Sequence, residues 1–500
     1  MTTHRFHAAP LAAITAVLLL TSCMVGPDYK RPDAPVPVVY KELAGWKPAT
    51  PLDTINRGAW WTIYNDPELD QLEEQVVISN QNVKSYEAAY RAATALVRET
   101  QAQLFPTISG TSSVTRSRGG SGGSSSSSSS GGGGGGFTNT VYSVEGTASW
   151  SPDIWGKIRR QIESNVAAAQ VSAADLANAT LAAQGTLATT YMNLRFEDAL
   201  QHLLTDTVAQ YQHALQIAQN QYRAGTASSA DVVTAQAQLQ TTQAQLVGVG
   251  VLRGQYEHAI AMLTGHPPAD LSIPVGDLAK VVPVAPTGIP STLLERRPDI
   301  AAAERQMQEE NELIGVAISA YYPDITLTAL LGFVGNPLGQ LFNASNRVWS
   351  LGASASDTIF DAGARSAAVD VARANYDQFV ATYRQTVLTA FQQVEDELVA
   401  LRVLEQQAAA EDAAVASARR AVDVTMNQYL AGTVAYTSVI TEQTLLLSDQ
   451  QTALSIQQSR MVASAALIQA LGGGWQATDV PDTAAVHAGA PIAPIPVAAP

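Results

Sequence analysis

Asn220-Gln221-Tyr222-Arg223-Ala224-Gly225-Thr226 returns as Asn427-Gln428-Tyr429-Leu430-Ala431-Gly432-Thr433, 207 positions further along a chain of 500 residues. Gly156 and Gly363 share that offset, as do Leu194-Arg195 and Leu401-Arg402, and the register holds without a gap from about 154 to 240. Upstream, Pro106 pairs with Pro323 and Asn82 with Asp299 at an offset of 217. The extra residues lie where the first copy carries Gly119 to Gly136, a run made almost wholly of Ser and Gly. Self-similarity at a fixed period marks a structural unit used more than once. The chain therefore reads as two copies of one unit, one of them with a longer loop.

Each unit has the same order. A helical stretch ends at the proline, over 80–105 and again over 298–322. Two alternating segments follow, separated by a polar loop. A very long helical stretch comes next and breaks once, at Ala-Gly-Thr. Gly225 and Gly432 sit where helix C-terminal caps belong. Leu204, Val208, Tyr211, Leu215, Ala218 and Tyr222 step by four and three alternately, the spacing of a coiled-coil seam. At about 1.5 Å per residue, a helix over 157–223 spans roughly 100 Å. That is about three times the ~30 Å hydrocarbon core of a bilayer. The stretch is too polar to lie in lipid, so it has to project through water.

The alternating segments carry the membrane argument. In Tyr142 to Trp150 one parity is Tyr, Val, Gly, Ala, Trp and the other is Ser, Glu, Thr, Ser. In Trp349 to Ser356, Trp349, Leu351, Ala353 and Ala355 alternate with Ser350, Gly352, Ser354 and Ser356. Ile325, Leu327, Ala329 and Leu331 alternate less cleanly, and Thr107 to Arg116 is the weakest, with Ile108 and Val114 on one parity. A period of two signals strands with one apolar face, and about ten residues suits a tilted membrane strand. Trp150 and Trp349 stand at segment ends, where an aromatic girdle belongs. Half-buried strands of a soluble sandwich give the same pattern, so the symmetric placing of four segments is what counts. Four strands cannot close a barrel, since small barrels need about eight, and open edges are not tolerated in lipid. Membrane strands here require the chain to oligomerise.

Residues 1–22 read as an export signal, with a weakly basic start and a short apolar run from Leu11 to Leu20. Leu20-Thr21-Ser22-Cys23 then matches the bacterial lipobox, and Cys23 is the chain's one cysteine. A lone cysteine excludes an internal disulfide and a cysteine-based zinc cluster. Its expected modification is S-diacylglycerol with N-acylation, a lipid tether. Ordinary cleavage leaving a free thiol is the alternative. Met24 rather than Asp follows the cysteine, which permits sorting to the outer membrane. No later stretch is apolar enough for a transmembrane helix.

The net charge of −15 and the absence of any basic stripe argue against a nucleic-acid partner. Seven histidines are scattered without ligand spacing, and His202 and His213 are expected on helix surfaces. Gly248, Gly250 and Gly254 miss the dinucleotide fingerprint. Gly119-Gly120-Ser121-Gly122-Gly123 matches the esterase elbow only in letters, since a homopolymeric tract offers no strand-to-helix turn. The expectation is therefore no enzyme, no metal and no cofactor beyond the lipid.

Together these features resemble the outer membrane factor family, the TolC-like channels, and within it the OprM-like lipoprotein branch. The match covers essentially 20–475. It rests on Gly26-Pro27-Asp28-Tyr29-Lys30-Arg31-Pro32 after the cysteine, Trp60-Trp61, Asn65-Asp66-Pro67-Glu68-Leu69, Leu293-Leu294-Glu295-Arg296-Arg297-Pro298-Asp299-Ile300 with Ala303-Glu304, and Ala470-Leu471-Gly472-Gly473-Gly474-Trp475. The resemblance implies an α+β membrane protein of two repeats, a homotrimer. Four strands per chain would complete a shared transmembrane β-barrel of 12 strands above a coiled-coil α-helical barrel crossing the periplasm. It implies a periplasmic adaptor and an inner-membrane pump, usually of the resistance-nodulation-division type, with outer-membrane lipid around the barrel.

On that plan the chain divides into the signal 1–22, an N-terminal segment with equatorial elements over 23–79, a first repeat over 80–265, a linker over 266–297, a second repeat over 298–472 and a disordered Ala/Pro-rich tail over 473–500. Strands are expected at about 107–116, 139–151, 324–334 and 348–358. Long helices are expected at 155–224, 228–264, 362–431 and 436–471. Ala224, Gly225, Thr226, Ala431, Gly432 and Thr433 become periplasmic tips that meet the adaptor. The branch carries an aspartate, and three residues on an arginine, in the helix after the second tip. Aligned on Tyr436, this chain has Thr441 and Thr444 there. The nearest acids are Glu442, about 100° round the helix, and Asp231 in the matching helix. The expected gate region is therefore Asp231, Thr437, Thr441, Glu442 and Thr444, closing by helix packing and uncharged polar contacts. Two other readings remain: a channel for ATP-driven protein secretion, and a structural coiled-coil lipoprotein of the envelope.

Overall fold

The computed structural model describes residues 24–37, 39–43, 59–118, 138–283 and 293–489. Cys23, the signal and the Ser/Gly tract 119–136 lie outside the described residues. Twelve principal elements follow in order: α1 (Pro67–Ser79), α2 (Gln81–Ala102), β1 (Thr107–Arg118), β2 (Thr138–Trp150), α3 (Lys157–Arg223), α4 (Ser229–Leu263), α5 (Pro298–Ser319), β3 (Asp324–Gly335), β4 (Arg347–Ser356), α6 (Ala364–Leu430), α7 (Tyr436–Ala470) and α8 (Thr483–Ala488). The two halves repeat the same lengths, 67 residues in α3 and α6 and 35 in α4 and α7.

Local chemistry sets the boundaries. Asp66 caps α1, accepting from the backbone N–H of Glu68 at 3.1 Å, with Pro67 at the first helical position. Asn80 ends α1 and caps α2 through Asn82 N–H at 2.9 Å. Both long helices start after a glycine in the left-handed region, Gly156 at φ 81° and Gly363 at φ 90°. Neither glycine has a side chain to cap with, so a preceding aspartate does it. Asp153 accepts from Ile158 and Arg159 N–H at 3.0 Å each, and Asp361 accepts from Arg365 N–H at 3.1 Å. Arg365 lies close by in return, and its guanidinium holds the Asp361 carboxyl below its ordinary range.

The strands form one antiparallel sheet in the order β1-β2-β3-β4. Its register gathers the apolar parity of every strand onto one face. Ile108, Ala148, Ala329 and Leu351 form one row across it, and Gly110, Gly146, Leu331 and Trp349 the next. The other face carries Ser109, Thr147, Leu330 and Ser350 in a row, and Ser109 shares a hydrogen bond of 2.7 Å with Thr147. Leu330, the residue that blurred the alternation in β3, is thus an apolar residue on the mainly polar face, which also carries Val141, Val334 and Val348. Trp150 and Trp349 stand at opposite ends of the sheet. β1 and β4 are edges, and β1 is exposed along its whole length.

The main core lies midway along the helices. There α1, α3, α4, α6 and α7 close over Trp60, Leu69, Leu187, Tyr191, Leu194, Ile260, Tyr383 and Val394. The stretch expected as a linker joins this core: Ile273 and Leu278 are buried in it. Residues 473–489, expected within a disordered tail, are ordered. Gly472, Gly473 and Gly474 take positive φ and turn the chain back, and α8 docks on α2 and α3 with Val486 buried against Val97, Ile162 and Val166. Composition points to disorder because Ala and Pro bury little, but Trp475 and Val480 pack against Val171, Ala174, Ala301 and Ala302, and Gln170 donates to Pro481 O at 2.9 Å. The coiled-coil seam also stops short of its expected end. Leu204, Val208, Tyr211 and Ala218 are buried, whereas Tyr222 is half exposed beside the turn. His202 and His213 are exposed as expected, and Gly248, Gly250 and Gly254 lie inside α4.

Candidate functional site

The two Ala-Gly-Thr turns are near copies of each other. Gly225 (φ 77°) and Gly432 (φ 72°) supply the left-handed residue that L side chains resist. Thr226 N–H donates to Gln221 O and Thr433 N–H to Gln428 O, both at 2.9 Å, closing the same C-terminal motif. Each threonine hydroxyl also donates to that carbonyl, at 3.1 and 2.9 Å. All six tip residues are exposed.

The turns differ at the next step. Ser228 and Asp231 form a reciprocal capping box at the start of α4: Asp231 N–H donates to Ser228 Oγ, and Ser228 N–H to Asp231 Oδ2, both at 3.3 Å. At the start of α7 the matching cap residue is Ala435, which has no side-chain acceptor. An aromatic pair stands there instead. Tyr429 and Tyr436 approach to 5.1 Å between ring centroids, and with Ala214, Ala218, Ala235 and Val439 they form a small separate core. This core joins the two turns, and the residues around it line a cleft of about 550 Å³ that includes Thr226, Asp231, Tyr429, Gly432 and Thr433. Tyr211 donates to Gln443 O at 3.3 Å. Burial, then the neighbouring Tyr429, Tyr211 and Asp231, push the Tyr436 phenol up to about 12. The Tyr429 hydroxyl is buried without a hydrogen-bond partner among the described residues. Sequence reasoning used Tyr436 only as an alignment anchor and missed the tyrosine pair, whose packing partners Ala214, Ala218 and Ala235 lie about 200 residues away in the chain.

The residues read as a gate separate into three kinds. Thr437, Thr441 and Thr444 share one exposed face of α7, and Thr441 Oγ1 donates to Thr437 O at 3.0 Å. Gln238 of α4 reaches across to Thr444 Oγ1 at 3.4 Å. Glu442 is half-buried to the side of that face. Asp231 is already engaged at the α4 cap, a role visible as Ser-x-x-Asp at 228–231.

Two polar anchors escaped the sequence reading. Arg195, picked out only as a repeat marker, donates to Asp198 at 3.1 Å, Pro274 O at 2.7 Å and Tyr191 Oη at 2.8 Å. Asp198 also accepts from Arg253 at 2.7 Å, so this buried network ties the 273–276 segment to α3 and α4. Its repeat mate Arg402 binds Glu42. At the foot of the sheet, Arg160 is buried and pairs with Glu312 at 2.6 Å while donating to Val25 O, Gly26 O and Asp28. Val25 N–H donates to Trp155 O at 3.2 Å, and a Cβ on Gly26 would lie 2.5 Å from Gly315 Cα. Residues 24–28 are therefore pinned where β2 passes into α3. Among the described residues there is no group of His, Cys, Asp and Glu able to hold a metal, and no helix long and apolar enough to cross a membrane.

The family model described as outer membrane efflux protein matches residues 72–266 and again 289–473. The solvent efflux pump outer membrane protein SrpC of Pseudomonas putida is 31% identical over 94% of this chain and 99% of its own length. The cation efflux system protein CusC of Escherichia coli O6:H1 is 26% identical over 93% of this chain and 99% of its own. The solved outer-membrane channel OprN superposes with a TM-score of 0.82 at 27% identity, covering 91% of this chain and 100% of its own.

Proposed function

The chain belongs to the outer membrane efflux protein family, and from that premise we propose how its parts serve an exit duct. It is an outer-membrane component of an efflux pump, with its helical body in the periplasm. The observation that carries the reading in detail is the sheet, with one apolar face, one polar face and two open edges, standing on 67-residue helices. Such a sheet is stable in lipid only when further copies close it. Three copies give twelve strands, enough to leave a lumen. The apolar face then meets lipid and the polar face the passage. Substrates move through without chemical change, and the energy comes from a partner.

The tips carry the contact with a periplasmic adaptor, which links the duct to an inner-membrane pump of the resistance-nodulation-division type. Exposed, rigidly capped turns suit such a contact. The gate lies where Thr437, Thr441 and Thr444 face out of α7, near the Tyr429–Tyr436 core. It closes by packing of the two helix pairs and by uncharged polar contacts, because Asp231 is held by its cap and Glu442 stands aside. Cys23 carries the diacylglycerol and the N-linked acyl chain. The pinned segment Met24–Asp28 supports this, since it holds the residue after Cys23 at the foot of the sheet. The barrel holds the membrane and the lipid is a second tether.

Deletion of the gene should lower the tolerated dose of a panel of solvents, antibiotics and metal ions, and re-expression should restore it. Purified protein in planar bilayers should conduct. A strong, pH-dependent block by divalent cations would reveal a carboxylate ring and defeat the uncharged gate. Cys23→Ser behind an ordinary signal should still insert and retain partial efflux; complete loss from the outer membrane would overturn the secondary role of the lipid.

A further inference from the structure

The stagger of the sheet says what each open edge meets. Backbone pairs run from Thr107 on β1 to Ser149, from Ser149 to Thr328 and from Thr328 to Gly352. Thr107 is the first residue of β1, whereas Gly352 stands well above Ser356, the last residue of β4. The row therefore climbs by about four residues across three strand-to-strand steps. A closed barrel needs such a climb, because its strands tilt about 35–45° to the axis. With ~4.8 Å between strands and ~3.3 Å per residue, that tilt demands roughly four to six residues over four strands. The observed climb falls on that line. Carried past β4 to a second copy, the row sets Gly352 opposite a residue of that copy's β1 from about Thr111 to Ser113. Antiparallel pairing then brings Phe105 opposite the stretch Thr358 to Phe360.

Both ends of that predicted contact are apolar and bare. Phe105 is 69% exposed, Ile359 97% and Phe360 85%. At the same level, the aromatic residues next to the inner strands are engaged within the chain and less bare, Tyr321 at 45% and Tyr322 at 38%. Trp150 donates to Leu104 O at 2.9 Å, and Trp155 stacks on Tyr322 at 4.8 Å and donates to Pro323 O. The barest residues at this level, Phe105, Ile359 and Phe360, adjoin the two edge strands.

We propose that Phe105 of one subunit packs against Ile359 and Phe360 of the next, forming an apolar lock at the foot of every seam between copies of this chain. The proposal rests on the trimer reading above. A head-to-tail contact repeats by rotation, so one pair of patches serves the whole ring. The lock also fixes register at the seam, where a slip of one residue would turn β1 inside out.

The test is a Phe105→Cys, Phe360→Cys double variant in a Cys23→Ser background, oxidised in detergent and run on denaturing gels without reductant. Covalent dimers and trimers that reductant dissolves are expected, and neither single variant should link. Pairing Phe105→Cys with Leu351→Cys, far up the same edge, should not link either. A particle with the mass of a trimer that gives no ladder, or that links through Leu351→Cys instead, overturns the lock. A particle with the mass of a monomer overturns the trimer reading beneath it. Phe360→Asp should lower the temperature at which the trimer falls apart in dodecyl sulfate without changing helix content; an unchanged temperature counts against the lock.

Discussion

α3 and α6 have the same length, the same glycine start and the same capped end, yet 28 residues of α3 are buried and only 11 of α6. α3 is enclosed by α1, α2, α4, α5, α7 and α8. α6 packs against α5 and α7, and leaves Val371, Leu388, Val403 and Val424 about half exposed or more. The first copy is covered by its own chain; the second is left open, as the proposed trimer requires. The sheet shows the same split between its inner strands and its edges. Two copies of one unit thus serve one as an interior wall and one as a joining face.

The largest expected effect probes the finished side. Arg160→Ala strands Glu312 in the interior and should cost about 3–5 kcal/mol, seen as a lower denaturation midpoint. Its counterpart by the repeat offset, Ala367, is exposed, and Ala367→Ser should change stability by less than about 0.5 kcal/mol. Equal effects at the two sites would erase the comparison. On the joining face, Val403→Asp should leave helix content alone and weaken the assembled particle by about 2 kcal/mol or more, because the charge is buried only between copies. Heat resistance of the trimer in dodecyl sulfate reads this out.

The tips sharpen the comparison further. Ser228→Ala removes the cap of α4 and should cost about 1 kcal/mol, while Ala435→Ser supplies the missing cap of α7 and should gain about 0.5–1 kcal/mol. Both are visible in thermal melts.

The smallest effect is one of pH. Burial, then the neighbouring Glu310, push Glu309 on α5 up to about 7, whereas α2 has Ala92 at the matching place. The folded chain holds this proton more tightly than the unfolded chain does. Its ionisation therefore costs nothing below the ordinary value of 4.5, and stability falls as pH rises from there through about 7. Glu309→Gln should raise the melting midpoint at pH 8 and leave it unchanged at pH 4, by about 1 kcal/mol or less after solvent screening. A gain at pH 4 as large as at pH 8 would rule out the proton.

Periodicity and repetition made much of this molecule legible in the sequence. The strand expected at 139–151 is Thr138–Trp150, and the helix expected at 155–224 is Lys157–Arg223. Side-chain period depends on neighbours one to four residues apart, and those are written in order along the chain. The candidate gate was legible only as an address. That Asp231 caps α4 was there to be read in Ser228-x-x-Asp231. That Tyr429 and Tyr436 knit the two turns together was not, because it depends on α3, α4 and α7 meeting at one end.

The sequence by itself determined the two-copy plan, the four strands, the periplasm-length helices and the need for more than one chain. All of these follow from local pattern and from the cost of leaving backbone edges bare in lipid. Only the tertiary structure decided which copy is enclosed and which is open, that the segment after Cys23 is clamped by Arg160, that the supposed tail folds back on α3, and how far the sheet is staggered. Each of these is set by contacts between residues tens to hundreds of positions apart, where burial and register are properties of the packed whole.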